Sequence, residues 1–112
     1  MQECIDLMEN LFRELEAGIT DNPLRTAMLI PKSNNGLLSM MPGYNIQKNI
    51  MGIKTVSVFP KNSKIGLESH QGTVTIFDSN NGTPLAIMDA SQITSIRTAA
   101  VSAVATKTLA NK

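Results

Sequence analysis

Residues 73–88 read TVTIFDSNNGTPLAIM and give the clearest indication of secondary structure in the chain. Two short runs, residues 73–77 and 84–88, flank the polar turn Asp78-Ser79-Asn80-Asn81-Gly82. Asn, Asp and Gly adopt the backbone angles of tight turns at little steric cost, whereas Val, Thr, Ile and Phe favour strands. The pattern therefore predicts a β-hairpin.

Further strands and turns precede this hairpin. The predicted strands are residues 25–30, 37–41 and 52–59. Pro31 closes the first of them and Pro42-Gly43 ends the second, because proline lacks the N–H group that a sheet requires. Polar turns at residues 33–36 and 60–63 separate the strands. We expect an antiparallel or mixed sheet of about five or six strands.

An amphipathic helix is predicted at the N-terminal end, over residues 2–17. Its apolar face comprises Cys4, Met8, Leu11, Phe12 and Leu15. Gly18 follows the last turn and marks the end of the helix. Because Cys4 belongs to this apolar face, we expect its thiol to pack and not to act as a reactive group.

A second helix is predicted from about residue 92 to residue 109. Asp89 or Ser91 can cap its first turn, and Ala, Ser, Thr and Val dominate its sequence. Small side chains allow a neighbouring backbone to approach closely, so we expect a tightly packed core helix. The order of helix, strands and helix predicts one α+β unit over residues 1–112.

Composition excludes several classes of function. The 112 residues are 42% hydrophobic and 17% charged, with a net charge of +1, so general electrostatic binding to nucleic acid or anionic lipid is not expected. No apolar run approaches the roughly 18 residues that span a bilayer. One cysteine and one histidine exclude an internal disulfide and a Cys- or His-rich metal site. A protein of a reducing compartment, the cytoplasm, is expected.

Three positively charged side chains, two of them on otherwise apolar or small-residue faces, are candidates for a binding site. Alternation places Lys54 on one strand face with valines, where it either reaches solvent at a sheet edge or serves a site that needs positive charge. Arg97 lies on a helix face of small residues and needs an anionic partner, either a structural carboxylate or a ligand. With Arg25, which opens a strand, these residues are suited to bind a small carboxylic acid or a phosphate.

Six short motifs occur in a familiar order. They are Pro23-Leu24-Arg25, Met41-Pro42-Gly43-Tyr44, Gly52-Ile53-Lys54, Gly66-Leu67-Glu68-Ser69-His70-Gln71-Gly72, Pro84-Leu85-Ala86-Ile87-Met88-Asp89 and Ile96-Arg97-Thr98-Ala99-Ala100. Together they resemble the N-terminal half of the ornithine cyclodeaminase/mu-crystallin family. The resemblance implies a dimeric, NAD- or NADP-dependent enzyme whose first domain binds the substrate and forms the dimer interface.

The same resemblance implies a second, Rossmann domain, whose glycine-rich turn does not occur in these 112 residues. We therefore expect residues 1–112 to be the substrate-binding and dimerisation domain, as a fragment that lacks the cofactor domain. The implied reaction is at the Cα–N bond of a small amino or imino acid: ornithine to proline with loss of ammonia, or the reaction of a related amino acid dehydrogenase or ketimine reductase. A non-catalytic binding or dimerisation module of the mu-crystallin type, or a carrier of small aromatic acids, is the alternative.

Site residues follow from the resemblance position by position. Arg25, Lys54 and Arg97 would bind the substrate carboxylate, and Lys54 would also be the catalytic residue beside the Cα–N bond. The implied cofactor contacts are Ser69, His70, Gln71, Arg97 and Thr98. Some cyclodeaminases carry a glutamate two residues before the Met-Pro pair, a position that is Ser39 in this sequence.

Overall fold

The computed structural model describes residues 1–32 and 35–110, which form the expected α+β unit. The helices are α1 (Gln2–Glu16) and α2 (Ala90–Leu109), with a short 3-10 helix at Asn62–Ile65. The strands are β1 (Thr20–Asp21), β2 (Thr26–Leu29), β3 (Leu37–Asn45), β4 (Ile50–Val58), β5 (His70–Asp78) and β6 (Pro84–Asp89). Of the predicted turn at residues 33–36, Ser33 and Asn34 lie outside the described residues.

All six strands form one antiparallel sheet. Its order is β1-β3-β4-β5-β6, and β2 pairs with β3 on the same edge as β1. The predicted hairpin between β5 and β6 is present: the Asp78 N–H donates to the Thr83 carbonyl at 2.9 Å, and Gly82 has a φ of +78°. Each long strand thus pairs with the next strand along the chain, which places residues distant in sequence on a common sheet face.

Strand β3 is longer than predicted, because it continues through Pro42 and Gly43 to Asn45. On its outer edge, β2 pairs with residues up to Met40 and β1 pairs only with the last two residues. Pro42 lies opposite the gap between β1 and β2, where β3 has a partner on one edge alone. A proline is tolerated at such a position, so the prediction that it ends the strand is wrong.

The other differences from prediction are one additional short strand and the ends of several strands. Strand β1 was not predicted, since two residues are too few to show an alternating pattern. β5 begins at His70, three residues earlier than predicted, and β4 begins at Ile50, two residues earlier. β2 begins at Thr26, which leaves Arg25 in the connection between β1 and β2.

Helix α2 lies across one face of the sheet and is capped as predicted by Asp89. The Asp89 carboxylate accepts a hydrogen bond from the Ser91 N–H at 2.7 Å. Its buried residues are Ala90, Ala100 and Val104, while most of its other side chains are exposed. The predicted close packing therefore holds for one stripe of the helix, and the prediction is wrong for the rest of its surface.

Helix α1 packs against α2 and β1 without burying any of its side chains. The Lys107 ammonium pairs with the Glu9 carboxylate at 2.8 Å, and the Asn45 amide donates to Glu14 at 2.7 Å. Phe12 on the predicted apolar face is 45% exposed, and Cys4 is half-buried with a free thiol. Part of the apolar face of α1 is thus half-buried, and the part that includes Phe12 is exposed.

The sheet face opposite α2 is uncovered, and we call it the open sheet face. Alternation along the strands places on it Leu38, Met40, Tyr44, Met51, Ile53, Phe77, Leu85 and Ile87. Several of these side chains are exposed, Ile87 to 72%. Neither helix in the described part of the chain has the length and apolar character that a membrane span requires.

Candidate functional site

A cavity of about 850 Å³ lies between α2 and the covered face of the sheet. Its floor comes from alternate residues of the strands, and its wall comes from one side of α2. The main apolar floor residues are Ala27, Leu37, Met41, Val56 and Val58. Residues of β2, β3 and β4 meet there because the register pairs Ala27 with Ser39 and Ser39 with Val56.

The structure brings Arg25, Lys54 and Arg97 to this one cavity, and we call them the three cavity cations. Lys54 lies on β4, in the middle of the sheet, so the alternative of a sheet-edge lysine is wrong. Partial burial lowers the pKa of Lys54, and the charges of Arg97 and Arg25 lower it further. Three like charges therefore lie close enough to influence one another.

No carboxylate neutralises these cations within residues 1–32 and 35–110. The ion pairs of that part of the chain include Arg13–Glu9, Lys48–Glu14 and Lys107–Glu9, and none of these involves a cavity cation. The Lys54 ammonium donates instead to the Thr94 hydroxyl at 3.4 Å. Glu68 is the one acidic side chain among the described lining residues. Excess positive charge beside an apolar floor suits an organic anion.

Thr94 was not among the site residues predicted from the sequence. Its hydrogen bond holds the Lys54 side chain toward α2. A signal for it exists, because Thr94 lies three and four residues before Arg97 and Thr98 and therefore on the same helix face. All three side chains line the cavity, together with Ala90. The helix thus presents a polar, partly cationic wall to the apolar floor of the sheet.

The other predicted contacts lie at the start of β5 and on α2. His70, Gln71 and Thr98 line the cavity. Ser69 does not line it, but its hydroxyl lies 3.1 Å from Nδ1 of His70 and can hold the orientation of that ring. Four of the five residues predicted to contact a cofactor, Arg97 among them, are therefore at the cavity, and their role stays a prediction.

Ser39 is a polar residue of the cavity floor without a charge. It is 5% exposed, and its hydroxyl has no hydrogen-bond partner. Its neighbours across the sheet are Ala27 on one side and Val56 on the other, so neither adjacent side chain can satisfy the hydroxyl. Buried hydroxyl groups are nearly always hydrogen-bonded in folded proteins, which makes this one notable.

Gly72 allows β4 and β5 to approach beneath the cavity. It pairs with Val56, and a Cβ atom at this position would overlap the Thr55 carbonyl oxygen. Any larger residue would push the two strands apart at the floor. The described residues contain no group of three or more His, Cys, Asp or Glu that could hold a metal ion.

The model of the ornithine cyclodeaminase/mu-crystallin family matches residues 1–112. This chain belongs to that family. The family members similar to it include NAD(P)-dependent enzymes of amino and imino acids. The motif order noted in the sequence and the fold observed in the structure both agree with this membership.

Two curated relatives illustrate the similarity. The ketimine reductase mu-crystallin of Mus musculus is 42% identical over 87 residues, which are 78% of this chain and 28% of the relative. A Δ1-pyrroline-2-carboxylate reductase of Bacillus cereus is 38% identical over 110 residues, which are 98% of this chain and 34% of the relative. The chain thus spans about a third of the length of these relatives.

Two solved structures of family members show the same fold. The Δ1-pyrroline-2-carboxylate reductase of Thermococcus litoralis, in complex with NADH and L-proline, has a TM-score of 0.93 and 40% identity, covering 99% of this chain and 34% of that one. An archaeal alanine dehydrogenase dimer with bound NAD has a TM-score of 0.88 and 31% identity, covering 98% of this chain and 33% of that one.

Proposed function

We propose that this chain is the substrate-binding and dimerisation domain of an NAD(P)-dependent enzyme that acts on the Cα–N bond of a small imino or amino acid. One observation carries the proposal: three cations from distant parts of the sequence line one cavity, without a carboxylate partner in the described chain. The family's Δ1-pyrroline-2-carboxylate and ketimine reductases favour an imino acid as substrate.

The three cavity cations bind the substrate carboxylate. Each guanidinium offers a planar pair of N–H donors that matches a carboxylate, and the Lys54 ammonium adds a compact charge. Such charge-assisted hydrogen bonds are favourable here because the cations repel one another until an anion joins them. The apolar floor then accommodates the hydrocarbon part of the substrate.

Lys54 acts next to the reacting bond. Its position on the central strand places the ammonium between the sheet floor and Thr94 of α2. A positive charge beside the substrate nitrogen disfavours a protonated amine and so helps to keep the nitrogen lone pair available. Its lowered pKa also makes transfer of a proton between Lys54 and that nitrogen easier near neutral pH.

The cavity fits one end of a nicotinamide cofactor. His70 lies beside the floor residue Val58, Thr98 lies on α2, and both line the cavity together with Gln71. When bound, the cofactor exchanges a hydride with the substrate carbon of the Cα–N bond. The chain's own residues bind the carboxylate, orient the reacting bond and move the proton.

A second copy of the chain covers the open sheet face. Its exposed members include Met51 on the central strand and Ile87 on the edge strand. Apolar surfaces of this kind mark sites of protein association. The archaeal alanine dehydrogenase relative is a dimer, which supports this assignment. A dimerisation module without catalysis, the alternative function, would use the same face.

Binding of a carboxylate tests the proposal on the protein itself. Pyrrole-2-carboxylate should shift the NMR signals of cavity residues in the isotope-labelled chain, and Arg97→Gln should weaken its binding by roughly tenfold or more, because a charged hydrogen bond is lost. Arg13→Gln is the matched control, since Arg13 pairs with Glu9 on the surface of α1. Equal affinities of wild type and Arg97→Gln would contradict the proposal.

An activity assay distinguishes the proposed enzyme from the alternative, a dimerisation module without catalysis. In an assay of Δ1-pyrroline-2-carboxylate reduction by NADH, Lys54→Ala in the complete enzyme should abolish activity and leave the dimer intact in light scattering. Activity of this variant near that of wild type would remove the catalytic role of Lys54. Absence of activity in the wild-type enzyme, with carboxylate binding retained, would favour the binding module.

A further inference from the structure

The Ser39 hydroxyl is a polar group whose partner is missing from the protein. It belongs to a residue that is only 5% exposed, in the floor of the cavity that holds the three cavity cations. The register pairs Met41 with Lys54 and Ser39 with Val56 on the same sheet face. Ser39 therefore lies one cross-strand pair away from Lys54, on the side of the apolar floor.

The surroundings of Ser39 leave few candidates for a partner. Ala27 and Val56 flank it across the sheet, and Leu37 precedes it on the same face of β3. None of these side chains has a hydrogen-bonding atom. A molecule that fills the cavity, with its carboxylate at the cations and its body over the floor, brings its own polar atoms toward this hydroxyl.

We propose that Ser39 forms a hydrogen bond with the ring nitrogen of a cyclic imino acid and thereby selects this class of substrate. The inference rests on the proposed function and extends it to substrate class. A cyclic α-imino acid carries one polar group besides its carboxylate, namely the nitrogen, and the Ser39 hydroxyl is a floor group that has no hydrogen-bond partner within the protein. A hydroxyl suits the purpose because it both donates and accepts a hydrogen bond, and so can pair with an imine nitrogen or an amine.

The test compares two planar ring acids of equal charge. Pyrrole-2-carboxylate has a ring N–H, and cyclopent-1-ene-1-carboxylate has carbon at the same place, so their carboxylates bind the cations alike. In titrations followed by NMR, the wild-type chain should prefer the pyrrole by roughly 3- to 10-fold, the value of one hydrogen bond. In Ser39→Ala this preference should disappear.

Ser102→Ala is the matched control. Ser102 also lines the cavity, but its hydroxyl already donates to the Thr98 carbonyl at 3.1 Å, so this variant should keep the wild-type preference. The temperature of thermal unfolding distinguishes substrate recognition by Ser39 from a structural role of its hydroxyl. Because the Ser39 hydroxyl has no partner in the protein, Ser39→Ala should unfold at the same temperature as wild type or higher.

The outcomes separate the two proposals. If Ser39→Ala keeps the preference for the pyrrole, or weakens both acids equally, the role of Ser39 is overturned and the carboxylate site stands. A lower unfolding temperature of Ser39→Ala would also overturn it, since the hydroxyl would then have a structural partner. If neither acid binds to the wild-type chain, both this inference and the proposed function fail.

Discussion

Lys54 shows how position in the sheet determines the chemistry of one residue. It lies on a central strand, in a cavity, with Arg97 and Arg25 as neighbours and with Thr94 as its hydrogen-bond partner. Burial and the neighbouring positive charges both disfavour its protonated form, so its pKa is lowered from 10.5. Between the lowered value and 10.5 the unfolded chain binds more protons than the folded chain, and stability therefore rises with pH in that range.

Replacing Lys54 by methionine should consequently stabilise the chain at neutral pH. We expect the melting temperature at pH 7 to rise by on the order of a few degrees. This advantage should shrink as the pH approaches 10.5, because wild type then loses its unfavourable charge as well. Circular dichroism at neutral pH and at a pH close to 10.5 measures both effects.

Lys107→Met is a control that should change the melting temperature in the opposite direction. A hydrogen bond and charge interaction with Glu9 raise the pKa of Lys107, so this lysine stabilises the fold below 10.5 and its contribution is lost as the pH rises through the raised value. Its removal should lower the melting temperature slightly at pH 7. If Lys54→Met also melts lower than wild type at pH 7, its charge is neutralised in a way that the structure does not show.

At the scale of elements, the cavity depends on the close approach of β4 and β5. Gly72 permits this approach, since a Cβ atom there would overlap the Thr55 carbonyl oxygen. Gly43 on β3 is less constrained, because a Cβ atom would lie 3.2 Å from the Asp21 carbonyl oxygen. The two glycines therefore offer a graded comparison within the same sheet.

Gly72→Ala should destabilise the chain by about 1–3 kcal/mol, the usual effect of overpacking. The free energy of unfolding, obtained from urea titration, measures the loss. Gly43→Ala should have a smaller effect, because a shift of a few tenths of an ångström relieves its contact. Equal losses for the two variants would show that the strands separate at Gly72 without strain.

Local patterns allowed most elements to be predicted, and tertiary relations account for the differences. The hairpin of residues 73–88 and the cap at Asp89 follow from turn and helix chemistry within a few residues. The continuation of β3 through Pro42 depends on where β1 and β2 end, which no local pattern contains. The hydrogen bond between Thr94 and Lys54 joins residues 40 positions apart and needed the structure.

At the scale of the whole molecule, the sheet has one covered and one open face. Periodicity predicted that Lys54 shares a strand face with the valines of β4, and the motif order associated Arg25, Lys54 and Arg97 with a carboxylate. The particular apolar side chains that remain exposed depend on tertiary packing, which no local pattern contains. The open sheet face and the apolar side of α1 are the surfaces concerned.

A charge on the open sheet face should prevent association of two chains. Met51 lies there on β4 and is 38% exposed, so Met51→Lys should raise the dimer dissociation constant at least about tenfold. Sedimentation equilibrium measures this constant. Ile65→Lys is the control, because Ile65 is 71% exposed on the 3-10 helix, outside the strands that form this face. A monomeric wild type at high concentration would contradict the assignment of this face.

The three cavity cations differ in how rigidly the fold holds them, because Arg25 lies in the gap between β1 and β2. Lys54 and Arg97 belong to a nine-residue strand and a twenty-residue helix, whereas Arg25 stands in a connection between strands of two and four residues. Such short, exposed strands open at a small fraction of the global unfolding free energy. Under the proposed function, Lys54 and Arg97 are therefore in place before the substrate carboxylate binds, whereas ordering Arg25 around it costs chain entropy, which makes release of the substrate easier.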